Sequence, residues 1–161
     1  MVGRALLPDA QALAHAGKDG RSLPPFGKRY STAKLCEVMY AYELHRRMRS
    51  TGSARSAIAF DPGSVPETGL LRTMPPAAQR VARTRAVKWA MRRAGVTSST
   101  ASFAGQSLAG VAADPRLTEA SGTYLQCKEG VLAPARSSVT SYDERLAAEL
   151  WVASEALTSA T

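Results

Sequence analysis

The longest helical pattern in the sequence runs from about Lys28 to Arg49, and the rest of the chain has to fold around it. Apolar side chains recur along it at intervals of three and four residues, which predicts one buried face. That face consists of Leu35, Val38, Met39 and Tyr42. Gly52 is a suitable stop for a helix. We therefore predict a single amphipathic helix as the central element of the fold.

Tyr30 and Lys34 lie four residues apart near the start of this helix, so they share one face. An ammonium group beside a phenol favours the phenolate and lowers the pKa of the tyrosine. A tyrosine tuned in this way can donate or accept a proton while a carbonyl and an alcohol interconvert. The alternative interpretation is chance, because many helices without a catalytic role contain this spacing. The pair is the first candidate catalytic site.

The end of the same helix is basic. His45 lies beside Arg46, Arg47 and Arg49 in the last turns. Cations at this position complement the helix dipole, and we prefer this interpretation to a binding role. His45 has no metal-ligand spacing to His15 or to either cysteine, so we predict no metal site.

Composition limits the class of protein. The chain has 161 residues, of which 45% are hydrophobic and 21% are charged, as expected for one globular domain. Its net charge of +8 is compatible with attraction to nucleic acid, anionic membrane or phosphate-bearing ligands. Acidic residues are mixed in and no aromatic residues alternate with the arginines, so we do not predict nucleic-acid binding.

Location is inferred from the cysteines and from the N-terminal residues. The first residues lack a long apolar segment, and no window approaches 18 consecutive apolar residues. Cys36 and Cys127 are therefore interpreted as reduced thiols. We expect a cytoplasmic protein, with a membrane surface as a less favoured partner.

A second candidate site follows the central helix. The apolar run from Arg55 to Phe60 is closed by Asp61-Pro62-Gly63, as a buried parallel strand ends in a loop. Ligands of open α/β sheets bind just outside the carboxyl ends of strands. The loop 62–68 is thus a candidate binding site, and an ordinary strand–helix turn is the alternative.

The remaining pattern alternates helices and strands. Residues 76–94 predict a basic amphipathic helix that covers a pocket or lies on a membrane, although a solvated surface helix is preferred. Residues 99–113 predict a second helix, 122–126 a strand, and 130–138 a loop. The final helix is predicted to begin with Ser141 as N-cap and Glu144 completing a capping box. This order is typical of an α/β parallel sheet, but it provides only two strands, which are marginal alone.

Taken together, these residues resemble the C-terminal half of a short-chain dehydrogenase/reductase (SDR). Tyr30 and Lys34, with Ala33 between them, match the family's Y-x-x-x-K motif, and Asp61-Pro62-Gly63 matches its proline–glycine loop. Within the family the chain is most similar to the branch of protochlorophyllide reductases and retinol-dehydrogenase-like enzymes. The similarity runs from about residue 26 to the end, and it rests on the segments 34–36, 43–47, 68–72, 113–115 and 150–155.

The resemblance implies an α/β fold that is the C-terminal part of a Rossmann-like, doubly wound parallel sheet. It implies hydride transfer from NADP(H), or NAD(H), to a small-molecule substrate. Tyr30 would be the proton donor, and Lys34 would lower its pKa and hold the nicotinamide ribose. The family's loop contacts to the cofactor would fall on Pro62, Gly63, Ser64, Val65 and Thr68. A homo-oligomer is also implied, because in many relatives the Tyr/Lys helix packs against a second subunit.

The sequence departs from the family pattern upstream of Tyr30. No G-x-x-x-G-x-G turn precedes it, and Ser22 and Ser31 are wrongly spaced for the family's catalytic serine. We therefore expect one partial domain over 1–161 that lacks the N-terminal glycine-rich βαβ units. In it, 1–27 would be an irregular leader and 28–161 the C-terminal half. The alternatives are a non-catalytic remnant of this family and a basic interaction protein at a membrane surface.

Overall fold

The computed structural model describes residues 5–15, 17–18, 20, 22–65, 76–82, 84–93, 97 and 99–159. The chain divides into two compact units. The first consists of Met1–Ala59, Ala120–Thr123 and Arg136–Thr161, and the second of Phe60–Glu119 and Tyr124–Ala135.

The elements alternate between helices and short strands. The α-helices are α1 (Ala10–Ala14), α2 (Phe26–Ser50), α3 (Pro76–Ala82), α4 (Arg85–Arg93), α5 (Ala101–Ala113) and α6 (Glu144–Ser159). The strands are β1 (Ala59–Asp61), β2 (Tyr124–Lys128) and β3 (Val131–Pro134). Two 3₁₀ turns cover Pro115–Ala120 and Val139–Tyr142.

The core of the first unit lies between α2 and α6. Met39 is completely buried, and Leu35 packs beside it against Ala147 and Leu150 of α6. Tyr42 is buried one turn further along α2. The predicted helix is therefore confirmed, and it extends from Phe26 to Ser50. Of its predicted buried face, Leu35, Met39 and Tyr42 are buried, whereas Val38 is only half-buried. Burial of this face stabilises α2 far more than its own helix propensity does.

The C-terminal turns of α2 are held by specific contacts that the dipole interpretation did not include. Glu43 is buried, and its two oxygens accept hydrogen bonds from Arg46 Nε at 2.9 Å and Arg47 Nε at 2.8 Å. The Arg47 guanidinium also lies 4.7 Å from the ring centroid of Trp151 on α6. His45 Nδ1 lies 2.8 Å from Ser121 Oγ. These side chains fix the end of α2 against its own unit.

Gly122 packs directly against His45 in the first unit, and we predict that Gly122→Ala is destabilising. A Cβ atom at this position would lie 2.6 Å from His45 Cδ2 and 2.9 Å from Cγ, so the whole ring would have to move. The backbone φ of 82° adds strain for any residue other than glycine. The free energy of unfolding should fall by about 1–3 kcal/mol beyond the backbone strain alone.

The matched control for this change is Gly130→Ala. Gly130 has nearly the same φ, 80°, but nothing lies within 4 Å of the place that its Cβ atom would occupy. Chemical denaturation of both variants separates the steric clash from the backbone strain. Equal losses of stability in the two variants would contradict the predicted clash.

The strands form one sheet in the order β1-β2-β3. β2 and β3 are antiparallel, with Leu125 opposite Pro134 and Lys128 opposite Val131. Glu129 and Gly130 join them with φ values of 51° and 80°, as in a type I′ hairpin turn. β3 covers Val131–Pro134, so the predicted loop over 130–138 was wrong for these residues, as was the count of two strands. The sheet that was predicted to be parallel contains this antiparallel pair. Sequence reading missed β3 because it is short and ends in a proline.

Two helix predictions also need correction. The basic segment 76–94 is not one helix, since α3 ends at Ala82 and α4 begins at Arg85. Thr84 separates them, and its hydroxyl accepts a hydrogen bond from Val87 N at 3.4 Å, as at a helix N-terminus. The cap of α6 is Asp143, whose Oδ1 accepts from Leu146 N at 2.9 Å.

Ser141, the predicted cap of α6, instead lies in the preceding 3₁₀ turn and donates to Ser138 O. The helix predicted over 99–113 is confirmed as α5, with Thr100 as its N-cap. The fold is thus mixed α/β with a three-stranded mixed sheet, compatible with part of a Rossmann-like fold. Within the described residues, no helix is both long enough and apolar enough to cross a membrane.

Candidate functional site

The Tyr30–Lys34 pair lies near the N-terminus of α2, in the first unit. The helix begins at Phe26, so both residues lie in regular helix and share one face. Lys34 Nζ is 5.9 Å from the centroid of the Tyr30 ring. Tyr30 is half-buried, whereas the Lys34 side chain is 53% exposed. The ammonium group is therefore near the phenol ring and accessible to a ligand.

Glu37 is the residue at this site that the sequence reading missed. Lys34 Nζ donates to Glu37 Oε1 at 2.9 Å and to Oε2 at 2.8 Å. The hydrogen bond to Glu37 raises the pKa of Lys34 above its usual 10.5, and burial opposes this shift. Lys34 thus remains cationic at neutral pH, but the Glu37 carboxylate offsets part of its positive charge. The signal was present in the sequence, since Lys34 and Glu37 are three residues apart in a predicted helix.

We predict that Glu37→Gln lowers the pKa of Lys34 towards 10.5, because the largest cause that raises it is removed. A lysine whose pKa is raised by folding contributes its stability at pH values below the unfolded pKa, and loses it as pH rises through the folded pKa. The Glu37→Gln variant should therefore lack the decrease in stability that this raised lysine pKa causes at alkaline pH. At neutral pH the effect on stability should be below about 0.5 kcal/mol, because the pair is exposed.

Titration of the lysine side-chain resonances by NMR measures this pKa directly. Glu149→Gln is the matched control, since it breaks another surface ion pair of the first unit, with Arg145, and leaves Lys34 alone. A Lys34 pKa that is the same in Glu37→Gln as in the unaltered chain would show that Glu37 does not set it.

The loop after β1 is organised by the carboxylate of Asp61, in the second unit. Asp61 Oδ1 accepts from Gly63 N at 2.8 Å. Asp61 Oδ2 accepts from Tyr124 Oη at 2.8 Å and from Gln126 Nε2 at 2.7 Å. One ionised side chain thus joins the loop to two side chains of β2, through bonds stronger than neutral ones.

The predicted cofactor-binding residues Pro62, Gly63, Ser64 and Val65 form this loop. Gly63 has a φ of 72°, and a Cβ atom there would lie 2.9 Å from Cys127 O, so glycine is required. Ser64 N donates to Thr97 O at 2.8 Å, and Ser64 O accepts from Ser99 N at 3.0 Å. Val65 is buried and Pro62 is exposed.

Thr68, the remaining predicted contact, lies outside the described residues. The structure brings Tyr30 and Lys34 together within the first unit. It brings Pro62, Gly63, Ser64 and Val65 together within the second. A cofactor held by both groups stays a prediction.

A cavity of about 260 Å³ lies in the first unit, beside the N-terminal part of α2. Among the described residues that line it are Leu6, Leu23, Arg29 and Thr32, and neither Tyr30 nor Lys34 is among them. The cavity is therefore separate from the tyrosine–lysine pair.

The two cysteines are unpaired. Burial raises the pKa of Cys36 to about 11, so its thiol is protonated at neutral pH and is a poor nucleophile. Cys127 is completely buried in β2. Neither thiol is suited to covalent catalysis.

Comparison with known proteins agrees with the fold and supports one class of enzyme over a short segment. No protein-family model matches the chain. A crystal structure of an uncharacterised protein from Mycobacterium paratuberculosis matches with a TM-score of 0.53 and 22% identity, over 96% of this chain and 46% of that one. This likeness shows the fold alone.

A curated sequence relative matches a short segment of the chain. Over 49 residues, 30% of this chain, the sequence is 39% identical to the short chain dehydrogenase/reductase dpchH of Colletotrichum higginsianum. The matched part is 12% of that relative's length. The similarity supports the SDR family at most.

Proposed function

We propose that this chain acts in an NAD(P)-dependent oxidoreductase of the SDR type, which reduces a carbonyl or C=C bond of a small molecule. The observation that carries the proposal is the Lys34 ammonium, held 5.9 Å from the Tyr30 ring on one face of α2. The short similarity to an SDR supports the same reading. The branch within the family rests on the sequence resemblance alone.

Tyr30 supplies the proton in this proposal. Its phenol donates the hydroxyl proton to the substrate oxygen, and the resulting phenolate recovers a proton from solvent. The positive charge of Lys34 favours that phenolate. Glu37 weakens this effect, because it shares the same ammonium group. The balance between Tyr30, Lys34 and Glu37 thus sets how readily the proton moves.

The donors of this site fit the ribose end of a nicotinamide cofactor. The Lys34 ammonium has three N–H donors, and it donates to the two carboxylate oxygens of Glu37. This ion pair is exposed, so a ligand can replace Glu37 as the acceptor. The Tyr30 hydroxyl is a second donor on the same helix face. Tyr30 and Lys34 would hold the ribose, and the nicotinamide would supply the hydride when bound.

The test is a titration of the 161-residue chain with NADPH and with NADH, followed by assays with aldehydes, ketones and quinones. We expect NADPH binding and its oxidation in the presence of a carbonyl substrate. A chain that binds neither nucleotide is a non-catalytic relative. Binding without turnover would support the proposed cofactor and contradict the proposed reduction. Lys34→Ala should weaken both binding and turnover, since its proposed roles include the ribose contact and tuning of Tyr30.

A further inference from the structure

The second unit contains a basic segment that the proposed chemistry does not use. From Pro76 to Arg93 the sequence contains no acidic residue and six basic ones, which are Arg80, Arg83, Arg85, Lys88, Arg92 and Arg93. The chain as a whole has a net charge of +8, so this segment holds most of the excess. Within this segment lie the short helices α3 and α4. We refer to α3 and α4 together as the basic helix pair.

Large apolar side chains are exposed on the basic helix pair. Trp89 is 60% exposed and Val81 is 59% exposed. Arg80, Arg85 and Arg93 of the same two helices are also exposed. A single exposed apolar residue is ordinary, but a tryptophan in a segment that carries only cationic charges is typical of surfaces that bind at a membrane interface.

We infer that the basic helix pair docks on an anionic lipid surface. The arginines complement the phosphate and carboxylate groups of anionic lipids. Tryptophan is enriched at the membrane–water interface, because its ring is largely apolar and its N–H group is polar. The proposed contact is adsorption of these two helices to the surface of the bilayer.

A nucleic acid is the competing partner for a basic segment. Single-stranded RNA binds such segments by stacking its bases on aromatic rings. The Arg93 guanidinium already lies 5.1 Å from the Trp89 ring centroid and covers one face of the ring. This contact leaves less of the ring for a base to stack on. The lipid surface is therefore favoured.

The experiment is co-sedimentation of the full chain with phosphatidylcholine vesicles, with and without phosphatidylserine, at low and at high salt. We expect binding only to the anionic vesicles, and its loss at high salt. The double variant Arg85→Gln/Arg93→Gln should reduce partitioning by about 30-fold, the effect of two cations near an anionic surface. Arg55→Gln/Arg136→Gln removes the same charge from exposed positions of the first unit and should change partitioning little.

Fluorescence of Trp89 provides a second measurement. The chain has two tryptophans, so Trp151→Phe leaves Trp89 as the only tryptophan, and its emission can be excited selectively over that of tyrosine. We expect its emission to shift to shorter wavelength on anionic vesicles. The inference is overturned if phosphatidylserine gives no increase in binding, if the two double variants lose partitioning equally, or if oligouridine binds and displaces the vesicles. The result is independent of NADPH binding and carbonyl reduction.

Discussion

Tyr30→Phe should lower carbonyl reduction by about 10²–10⁴-fold, the usual contribution of a positioned proton donor. Phenylalanine keeps the ring beside Lys34 and removes only the hydroxyl group, so NADPH affinity should fall far less than turnover, by the one ribose contact that Tyr30 would supply. Steady-state kinetics with NADPH in excess, together with nucleotide titration, measure the two quantities separately. The loss should therefore appear mainly in kcat, with a much smaller change in the Kd for the nucleotide.

Tyr40→Phe is the matched control for this result. Tyr40 lies on the same helix and stacks on Trp151 with ring centroids 4.4 Å apart. Phenylalanine preserves that stacking, so turnover should stay within about twofold of the unaltered chain, as for a surface change away from the site. Activity that survives Tyr30→Phe would refute the assignment of Tyr30 as proton donor.

Met39→Ala should have the largest effect on stability, a loss of about 2–5 kcal/mol in the free energy of unfolding. Met39 is fully buried in the core between α2 and α6, where Leu35, Ala147 and Leu150 surround it. Alanine removes its contacts and leaves a cavity that the neighbouring helix can only partly fill. Denaturant unfolding followed by circular dichroism measures this loss.

Met48→Ala is the control, since the same substitution is made on the same helix at a half-buried position. It should cost clearly less, because less apolar surface returns to water. A similar loss at both positions would show that the packing of α2 on α6 does not dominate the stability of the first unit.

The sequence predicted the elements that a strong local pattern determines. Residues of α2 repeat at helical spacing along the helix, so its existence and its buried face were clear. The helix predicted over 99–113 is likewise present, as α5 from Ala101 to Ala113. The Tyr30–Lys34 contact follows directly from helix geometry, because positions four apart always face the same side.

The features that the sequence did not predict depend on competition between similar local signals or on contacts between distant residues. Ser141 and Asp143 are both good N-caps, and only the preceding 3₁₀ turn decides for Asp143. β3 is too short to show a period, and it forms because β2 offers it a partner. The bonds from Tyr124 and Gln126 to Asp61 join residues more than sixty positions apart, which no local pattern reveals.

The Asp61 carboxylate has a consequence for local motion in the second unit. Because Asp61 accepts bonds from the loop and from β2 at once, the loop can open only if those bonds to the strand break or reorganise. We expect the amide of Gly63 and the amides of the β2–β3 hairpin to exchange with deuterium at similar rates, as one cooperative unit. Asp61→Ala should uncouple them, so that Gly63 exchanges early while the hairpin remains protected.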